Sequence, residues 1–273
     1  IELYAMRAKA MSGALKESFV HLDHALVVAP SAAPAIIKQI SVGLKEPGWV
    51  DLLRPYEHRS WYINLISAAA DDRASKSAAV QMLINSGLTS DDLPSGVLKA
   101  FIDGQVSSGN YALATRLARR FIQSNVRVFD DFSLARAGRY PEIEPLIWSV
   151  TQDTTVSSHI EDGFLDFILE ADGSSVLLKR VTNFSQGSYK LHNDYQTDGE
   201  DVDLLWRLSC FRDGSFVQEW EGALPASIRR VSFSWPIVIE RDCIIQQWEL
   251  HGSNAAIRAR KGGSVGNLRL SRQ

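Results

Sequence analysis

The spacing of apolar residues changes once along this chain, between residues 141 and 145, and this change constrains the fold more than any single motif. Before it, apolar residues recur every three or four positions, as in Leu15, Phe19 and Leu22, which is the spacing of an amphipathic helix. After it, apolar and polar residues alternate, as they do along a strand with one buried face. The sequence therefore predicts an α-helical part followed by an antiparallel β part.

Composition divides the chain at the same place. The first 144 residues contain 21 alanines and the last 129 contain 6, whereas five of the seven tryptophans lie in the second part. Alanine is the best helix former, and aromatic residues suit a half-buried pleated surface. We therefore predict two domains, a helical one over residues 1–140 and a β domain over residues 145–273.

The helical part is predicted to consist of hairpins with short turns. A helix around Leu3–Met11 precedes a longer one over Ala14–Ala29, which Pro30 ends. Two further pairs follow, over 61–69 with 79–83 and over 97–106 with 111–122, and the turns are Ser12-Gly13, Asp71-Asp72 and Ser108-Gly109-Asn110. Three such hairpins favour a stacked α-solenoid of the tetratricopeptide (TPR) type, with a four-helix bundle as the alternative.

The β part is predicted to consist of short strands separated by Asp-Gly turns. These turns are Asp162-Gly163, Asp172-Gly173, Asp198-Gly199 and Asp213-Gly214, and Asp172-Gly173 is expected to close a hairpin. The predicted strands cover residues 146–150, 156–160, 164–169, 175–181, 189–196, 202–211, 228–239, 243–251 and 265–270. An antiparallel β-sandwich of the jelly-roll type accommodates this number of strands.

The polar phases of these strands supply candidate ligand-binding residues. Their hydrogen-bonding groups are suited to a sugar or another polar ligand, although a solvated sheet face has the same pattern. Trp220, near a predicted turn, is the best candidate for an exposed aromatic side chain. The candidate ligand-binding residues are His192, Asp194, Arg207, Trp220, Gln247 and Glu249.

No catalytic or cofactor motif has the context that it needs. The G-x-S-x-G pattern at Gly262–Gly266 is followed by seven residues without histidine or carboxylate, so it predicts a flexible turn and not a nucleophile elbow. No dinucleotide motif, P-loop or zinc-ligand spacing occurs. We expect no catalytic residue, metal or cofactor, and an enzyme that uses Asp194 and Glu249 is the minority hypothesis.

Charge and hydropathy exclude two classes of partner. The net charge of −3 gives no reason to expect nucleic-acid binding, which needs a concentrated basic surface. No apolar run approaches the roughly 20 residues that span a bilayer. Because the chain begins at Ile1, a signal peptide or membrane anchor is expected to have been removed or to lie outside this sequence.

The two cysteines, Cys210 and Cys243, lie 33 residues apart near the ends of predicted strands. Opposed strands of a sandwich can bring such positions within disulfide range. Two buried, reduced thiols explain the same positions equally well, so both interpretations stay open on the residues alone.

The order of motifs in the β part resembles a known arrangement. Pro145–Trp148 is followed by Gly187–Leu191, then Leu205–Cys210, then Cys243 with Trp248, and the chain closes with Gly266–Leu270. This pattern resembles the carbohydrate-binding-module-like jelly roll at the C-terminus of bacterial TPR-like proteins from exopolysaccharide gene clusters. The resemblance covers about 129 residues, and the helical part matches only in general style. Such proteins often carry acidic residues on the closing strand, where this chain has Asn267, which argues against a metal- or ligand-binding role for that strand.

The resemblance implies a non-catalytic component of bacterial exopolysaccharide production or export. The helical hairpins would dock a protein partner, and the sandwich would contact an oligosaccharide or polysaccharide. The paired cysteines fit the resemblance, which favours a Cys210–Cys243 disulfide and a periplasmic or extracellular location. The alternative is a structural or adaptor protein whose sandwich binds another protein.

Overall fold

In the computed structural model of the chain, the described residues are 1–46, 48–70, 72, 75–122, 129 and 131–273. They form two compact units. One comprises Ile1–Gln105 with Arg116–Gln123, and the other comprises Val106–Thr115 with Ser124–Gln273. The division predicted from the sequence at residues 140–145 marks the change from helices to strands. The division into these two units instead reflects which residues pack together.

Helices dominate the described residues before residue 122. Among them, no helix combines the length and the apolar character that crossing a bilayer requires. The eight α-helices of the described part are α1 Glu2–Met11, α2 Leu15–Val28, α3 Ala33–Gly43, α4 Trp49–Leu53, α5 Ser60–Ala70, α6 Lys76–Asn85, α7 Val97–Ser107 and α8 Tyr111–Phe121.

The predicted helical segments are confirmed, and two helices are additional. α2 ends before Pro30 and buries Phe19, Leu22 and Leu26, the residues whose spacing indicated it. α3 and α4 were not predicted, because α4 has only five residues and α3 contains a proline and ends at a glycine. Pro34 is tolerated because it occupies the first turn of α3. The predicted break at Asp71-Asp72 lies partly outside the described residues, because Asp71 is not among them.

The helical unit packs in pairs. α1 contacts α2, α5 contacts α6, and α3 also packs against α5. A buried carboxylate links two of these elements, since Asp23 of α2 accepts hydrogen bonds from Arg59 Nη2 at 2.7 Å and from Trp61 Nε1 at 2.9 Å. The TPR-type stacking of these pairs stays a prediction.

The β part is a sandwich of two five-stranded antiparallel sheets, as predicted. Sheet A has the strand order β1-β4-β9-β6-β7, and sheet B has the order β2-β3-β10-β5-β8. The strands are β1 Ser149–Val150, β2 Val156–Glu161, β3 Phe164–Leu169, β4 Ser174–Thr182, β5 Gly187–Thr197, β6 Val202–Arg212, β7 Ser215–Leu224, β8 Val231–Ile239, β9 Gln246–Asn254 and β10 Lys261–Arg272.

Two of the four Asp-Gly turns close hairpins within a sheet. Asp162-Gly163 joins β2 to β3, and Asp213-Gly214 joins β6 to β7, with positive φ at all four residues. The hairpin predicted at Asp172-Gly173 is wrong, because β3 belongs to sheet B and β4 to sheet A. The turn there carries the chain from one sheet to the other.

Two segments that were not predicted as strands are strands. β7 was missed because it is an edge strand with mostly exposed, polar side chains, which hides its alternation. The glycine-rich Gly262–Gly266 lies in β10, which pairs with β3 on one side and β5 on the other. Its glycines are needed there, because a Cβ on Gly262 would overlap the carbonyl oxygen of Phe167.

Three fully buried tryptophans form the centre of the sandwich, and each indole N–H has an acceptor. Trp148 Nε1 donates to the carbonyl oxygen of Phe132 at 2.8 Å. Trp206 Nε1 donates to Asn193 Oδ1 at 3.2 Å, and Trp248 Nε1 donates to Thr182 Oγ1 at 2.9 Å. Leaving a buried N–H without an acceptor costs about 1–3 kcal/mol of folding free energy, so these acceptors determine the orientation of the indole rings.

A buried arginine ties the segment before the sandwich to its core. Arg180 is 1% exposed and donates to the carbonyl oxygens of Phe129 and Asp131. Its guanidinium lies 5.7 Å from the ring centre of Phe132, which is itself a core residue. This packing explains why residues before 140 belong to the sandwich unit.

Cys210 of β6 and Cys243 form a disulfide, with their Cα atoms 5.0 Å apart. The sequence had suggested that Cys243 begins a strand. In the structure it lies in the connection before β9. Both residues are 2% exposed, so the bridge joins the end of β6 to the β8–β9 connection inside the core.

Removing this bridge is expected to destabilise the chain. Since the bridge closes a loop of 33 residues, the C210S/C243S variant should lose roughly 3–4 kcal/mol of unfolding free energy through the greater entropy of its unfolded state. Urea unfolding followed by tryptophan fluorescence measures this. A reducing agent should bring the wild-type midpoint to that of the variant, and an unchanged midpoint in both experiments would contradict the assignment.

Candidate functional site

The structure separates the six predicted ligand residues into three places. His192 and Asp194 project from β5 on the outer face of sheet B. The outer face of sheet A carries Arg207, Gln247 and Glu249. Trp220 lies elsewhere, on the inner side of β7.

Trp220 is not the freely exposed aromatic residue that the sequence suggested. It lies in β7 opposite Leu208, a core residue, so it points toward the inside of the sandwich. Its ring centre is 5.9 Å from that of Trp235, and a Cβ on Gly222 would lie 2.6 Å from its ring atoms. The indole therefore packs at the edge of the core, on the opposite side of the sheet from Arg207.

The polar residues of sheet A bind one another. Register places Lys179, Glu249, Arg207 and Glu221 side by side on four neighbouring strands, and we call these four residues the charged row. Lys179 Nζ lies 3.4 Å from Glu249 Oε1, and Arg207 Nε lies 3.8 Å from Glu221 Oε2. Positive and negative charges thus alternate across the face of the sheet.

Glu249 is the most enclosed member of the charged row, with a side chain that is 16% exposed. It also accepts hydrogen bonds from Gln247 Nε2 at 2.9 Å and from His251 Nε2 at 3.1 Å. The bond from His251 is the main influence that lowers the pKa of Glu249, while its burial acts in the opposite direction. The carboxylate is therefore occupied by partners within the sheet.

Sheet B has a cleft on its outer face, which we call the β5 cleft. Its volume is about 480 Å³, within the usual range for ligand pockets. β8, β5 and β10 run side by side beneath it. Its lining residues are His192, Asn193, Asp194, Ser232, Phe233, Ser234, Asn267, Arg269 and Ser271.

A β-bulge in β10 shapes this cleft. The pairing of β10 with β5 shifts between Gly266 and Arg269, and Asn267 has a φ of 51°. Because the inserted residue reverses the alternation, Leu268 points into the core while Asn267 and Arg269 both stay on the outer face. Without the bulge, Arg269 would lie in the opposite phase, toward the core.

Asp194 is oriented by two donors. Ser232 Oγ donates to its Oδ1 at 2.6 Å, and Asn267 Nδ2 donates to its Oδ2 at 2.5 Å. These two hydrogen bonds, first that of Ser232, lower the pKa of Asp194, and the charges of Arg230 and Arg269 act in the same direction. The result is an ionised acceptor that is held in one orientation.

Two side chains of the cleft are free to bind a ligand. His192 lies between Ser234 of β8 and Arg269 of β10 in the register of the sheet. Neither His192 nor Arg269 makes a side-chain hydrogen bond or an ion pair within the described part of the chain. Phe233 lies opposite the buried Asn193 in the register, and its ring centre is 4.7 Å from that of Trp235, so it contributes no ring face to the cleft.

Sequence reasoning found two of these residues and missed Ser232, Asn267 and Arg269. The available signal was a break in alternation, because the core residues Val265 and Leu268 are three positions apart instead of two. Asparagine is one of the few residues that tolerate positive φ, so Asn267 at this break marks the bulge.

The structure also brings together three potential metal ligands. His159 and Glu161 of β2 and Asp166 of β3 place ligand atoms within 4.8 Å of one another. His159 and Glu161 are exposed, and His159 Nε2 lies 3.9 Å from Asp166 Oδ2 as an ordinary cross-strand ion pair. An exposed pair of this kind is common in sheets, and no metal role is assigned to it.

The chain matches no protein-family model and no curated protein. Among solved structures, it is similar to a family 4 carbohydrate-binding module, with 10% identity, a TM-score of 0.37, and coverage of 55% of this chain and 100% of that one. A family 61 module in complex with β-1,4-galactotriose has 13% identity and a TM-score of 0.34, with coverage of 46% and 88%. The enzymatically active domain of tailspike protein 4 of bacteriophage CBA120 has 12% identity and a TM-score of 0.38, with coverage of 56% and 24%.

These likenesses concern about half of the chain, and their TM-scores lie below 0.5. The ligand of this chain therefore has to be inferred from its own residues.

The geometry of the β5 cleft gives a direct test through Asp194. Because its hydrogen bond to Ser232 favours the ionised form, Ser232→Ala should raise the pKa of Asp194 toward its ordinary value of 3.8. The carboxylate would then protonate at a higher pH than in the wild type. A titration of the side-chain ¹³C resonance measures the shift.

Ser234→Ala is the matched control, since Ser234 faces the same cleft but lies opposite His192. It should leave the pKa of Asp194 unchanged. An Asp194 titration that is identical in the wild type and Ser232→Ala would contradict the arrangement.

Proposed function

We propose that the sandwich binds an oligosaccharide or polysaccharide in the β5 cleft and does so without catalysis. The observation that carries the proposal is the combination of an oriented acceptor, Asp194, with two unengaged side chains, His192 and Arg269, around one cavity. Sugar hydroxyls both donate and accept, so they need acceptors and donors close together. The β5 cleft supplies both on a rigid sheet.

The sheet A face is less suitable as the binding surface. Glu249 already interacts with Gln247, His251 and Lys179, so a ligand would have to replace contacts that exist. In the β5 cleft, His192 and Arg269 give up no hydrogen bond with the described residues when a ligand binds. The difference favours sheet B.

The positions of the candidate carboxylates support a non-catalytic role. Glycoside hydrolysis generally needs two carboxyl groups about 5–10 Å apart on either side of one bond. Asp194 and Glu249 lie on the outer faces of different sheets, and packed sheets are about 10 Å apart before their outward side chains are added. These two residues therefore cannot act on the same glycosidic bond.

The wider role that we propose is a part in bacterial exopolysaccharide production or export. The helical hairpins would dock a protein partner while the sandwich holds glycan. A buried disulfide suits the periplasm or the cell exterior, where such bridges persist.

Glycan binding can be tested with the whole chain. Affinity electrophoresis against a panel of neutral and acidic polysaccharides should show retardation with at least one of them. Asp194→Ala should weaken that binding about tenfold or more, because a ligand hydroxyl loses a charged acceptor.

Glu249→Gln is the matched control on the other sheet and should bind like the wild type. If the two variants exchange these results, the site lies on sheet A. If no glycan is bound and a protein partner is captured without dependence on sugar, the adaptor function replaces this proposal.

A further inference from the structure

The cations on the two outer faces differ in how they are neutralised. In the charged row of sheet A, Lys179 and Arg207 each lie within 4.0 Å of a carboxylate, that of Glu249 or Glu221. This face therefore balances its own positive charge.

The cations around the β5 cleft have no such partners. Within the described residues, Lys190, Arg230 and Arg269 form no ion pair within 4.0 Å. In the register of sheet B, Arg269 lies opposite His192, and Lys190 lies between Ser271 and Pro236. The residues directly opposite Arg269 and Lys190 thus carry no carboxylate.

Arg230 approaches the cleft from the other end. Its guanidinium lies 4.3 Å from the ring centre of Phe164, and that ring covers Gly266, which pairs with Asp194. A cation on an aromatic ring keeps its charge and remains able to attract an anion. The cleft is therefore flanked by positive charge at both ends.

Among the described residues, one carboxylate, that of Asp194, lines the β5 cleft. Arg269 is a cation of the same lining, and Asp194 already accepts hydrogen bonds from Ser232 and Asn267. Asp194 and Arg269 balance each other within the lining, and Lys190 and Arg230 beside the lining add positive charge, although the chain as a whole has a net charge of −3. A local excess against the overall charge is what a site for an anion requires.

The length of the charged surface is also informative. Lys190 and Asp194 are four residues apart on the same face of β5, so their Cα atoms are separated by roughly 13 Å. This is long enough for more than one sugar ring. A ligand can therefore place a hydroxyl near Asp194 and an anionic group near Lys190 and Arg269 at the same time.

We propose that the β5 cleft selects an anionic glycan, one that carries carboxylate or sulfate groups, through Arg269 and Lys190. This inference rests on the proposed glycan binding and specifies the class of glycan. Arginine pairs with carboxylate or sulfate oxygens through two parallel N–H donors, which gives both affinity and orientation.

The test compares polymers that differ only in charge. The whole chain is titrated with polygalacturonate and its carboxyl-reduced form, and with dextran sulfate and dextran, by isothermal calorimetry. We expect binding to at least one anionic polymer, about tenfold or more weaker binding to its neutral counterpart, and a loss of affinity with added salt. Arg269→Gln should weaken the anionic binding about tenfold or more.

Lys179→Gln removes the same charge from sheet A and should leave the binding unchanged. Equal affinity for a charged polymer and its neutral form, or unchanged binding by Arg269→Gln, overturns the inference and leaves glycan binding intact. Equal weakening by both variants also overturns it, since net charge and not the cleft would then control affinity. Failure to bind any glycan, charged or neutral, removes the proposed function as well.

Discussion

The structure of the sandwich depends on burying three tryptophans without leaving an indole N–H unpaired. Trp148, Trp206 and Trp248 come from different strands or connections, and each has a different acceptor. Meeting this requirement aligns β5, β6 and β9, and it holds the segment around Phe132 against the core. A one-residue slip of β6 or β9 would turn a tryptophan toward solvent, and a slip of β5 would remove the acceptor of Trp206. This constraint restricts the register of β5, β6 and β9.

Once the register is set, the outer faces are determined as well. The residues that alternate with Trp206 and Trp248 are Arg207 and Glu249, and they meet as opposite charges on sheet A. On sheet B, the residues that alternate with Leu191 and Tyr195 are His192 and Asp194. One face thus neutralises itself, and the other leaves His192 and Arg269 without hydrogen bonds in the described part of the chain. This difference between the sheets, on which the proposed function rests, is a consequence of which residues the core leaves outside.

Much of this fold can be predicted from the sequence, because apolar spacing reports burial directly. The helices around Leu22 and the strands around Trp206 follow from it. β7 does not, because an edge strand with Gln218, Glu219 and Glu221 shows no apolar alternation. The β5 cleft is only half predictable. His192 and Asp194 stand out in their strand, but Asn267 and Arg269 reach them through a bulge in a strand that is distant in sequence. Local pattern contains no information on which strands become neighbours.

The proposed ligand site lies on the outer face of sheet B. The most direct measurement is a ¹⁵N chemical-shift map of the whole chain titrated with an oligogalacturonate. Binding at the β5 cleft should shift the amide resonances of His192, Asp194 and Arg269 together and to saturation, while those of Arg207, Gln247 and Glu249 stay in place. Saturable shifts confined to the second group would contradict it.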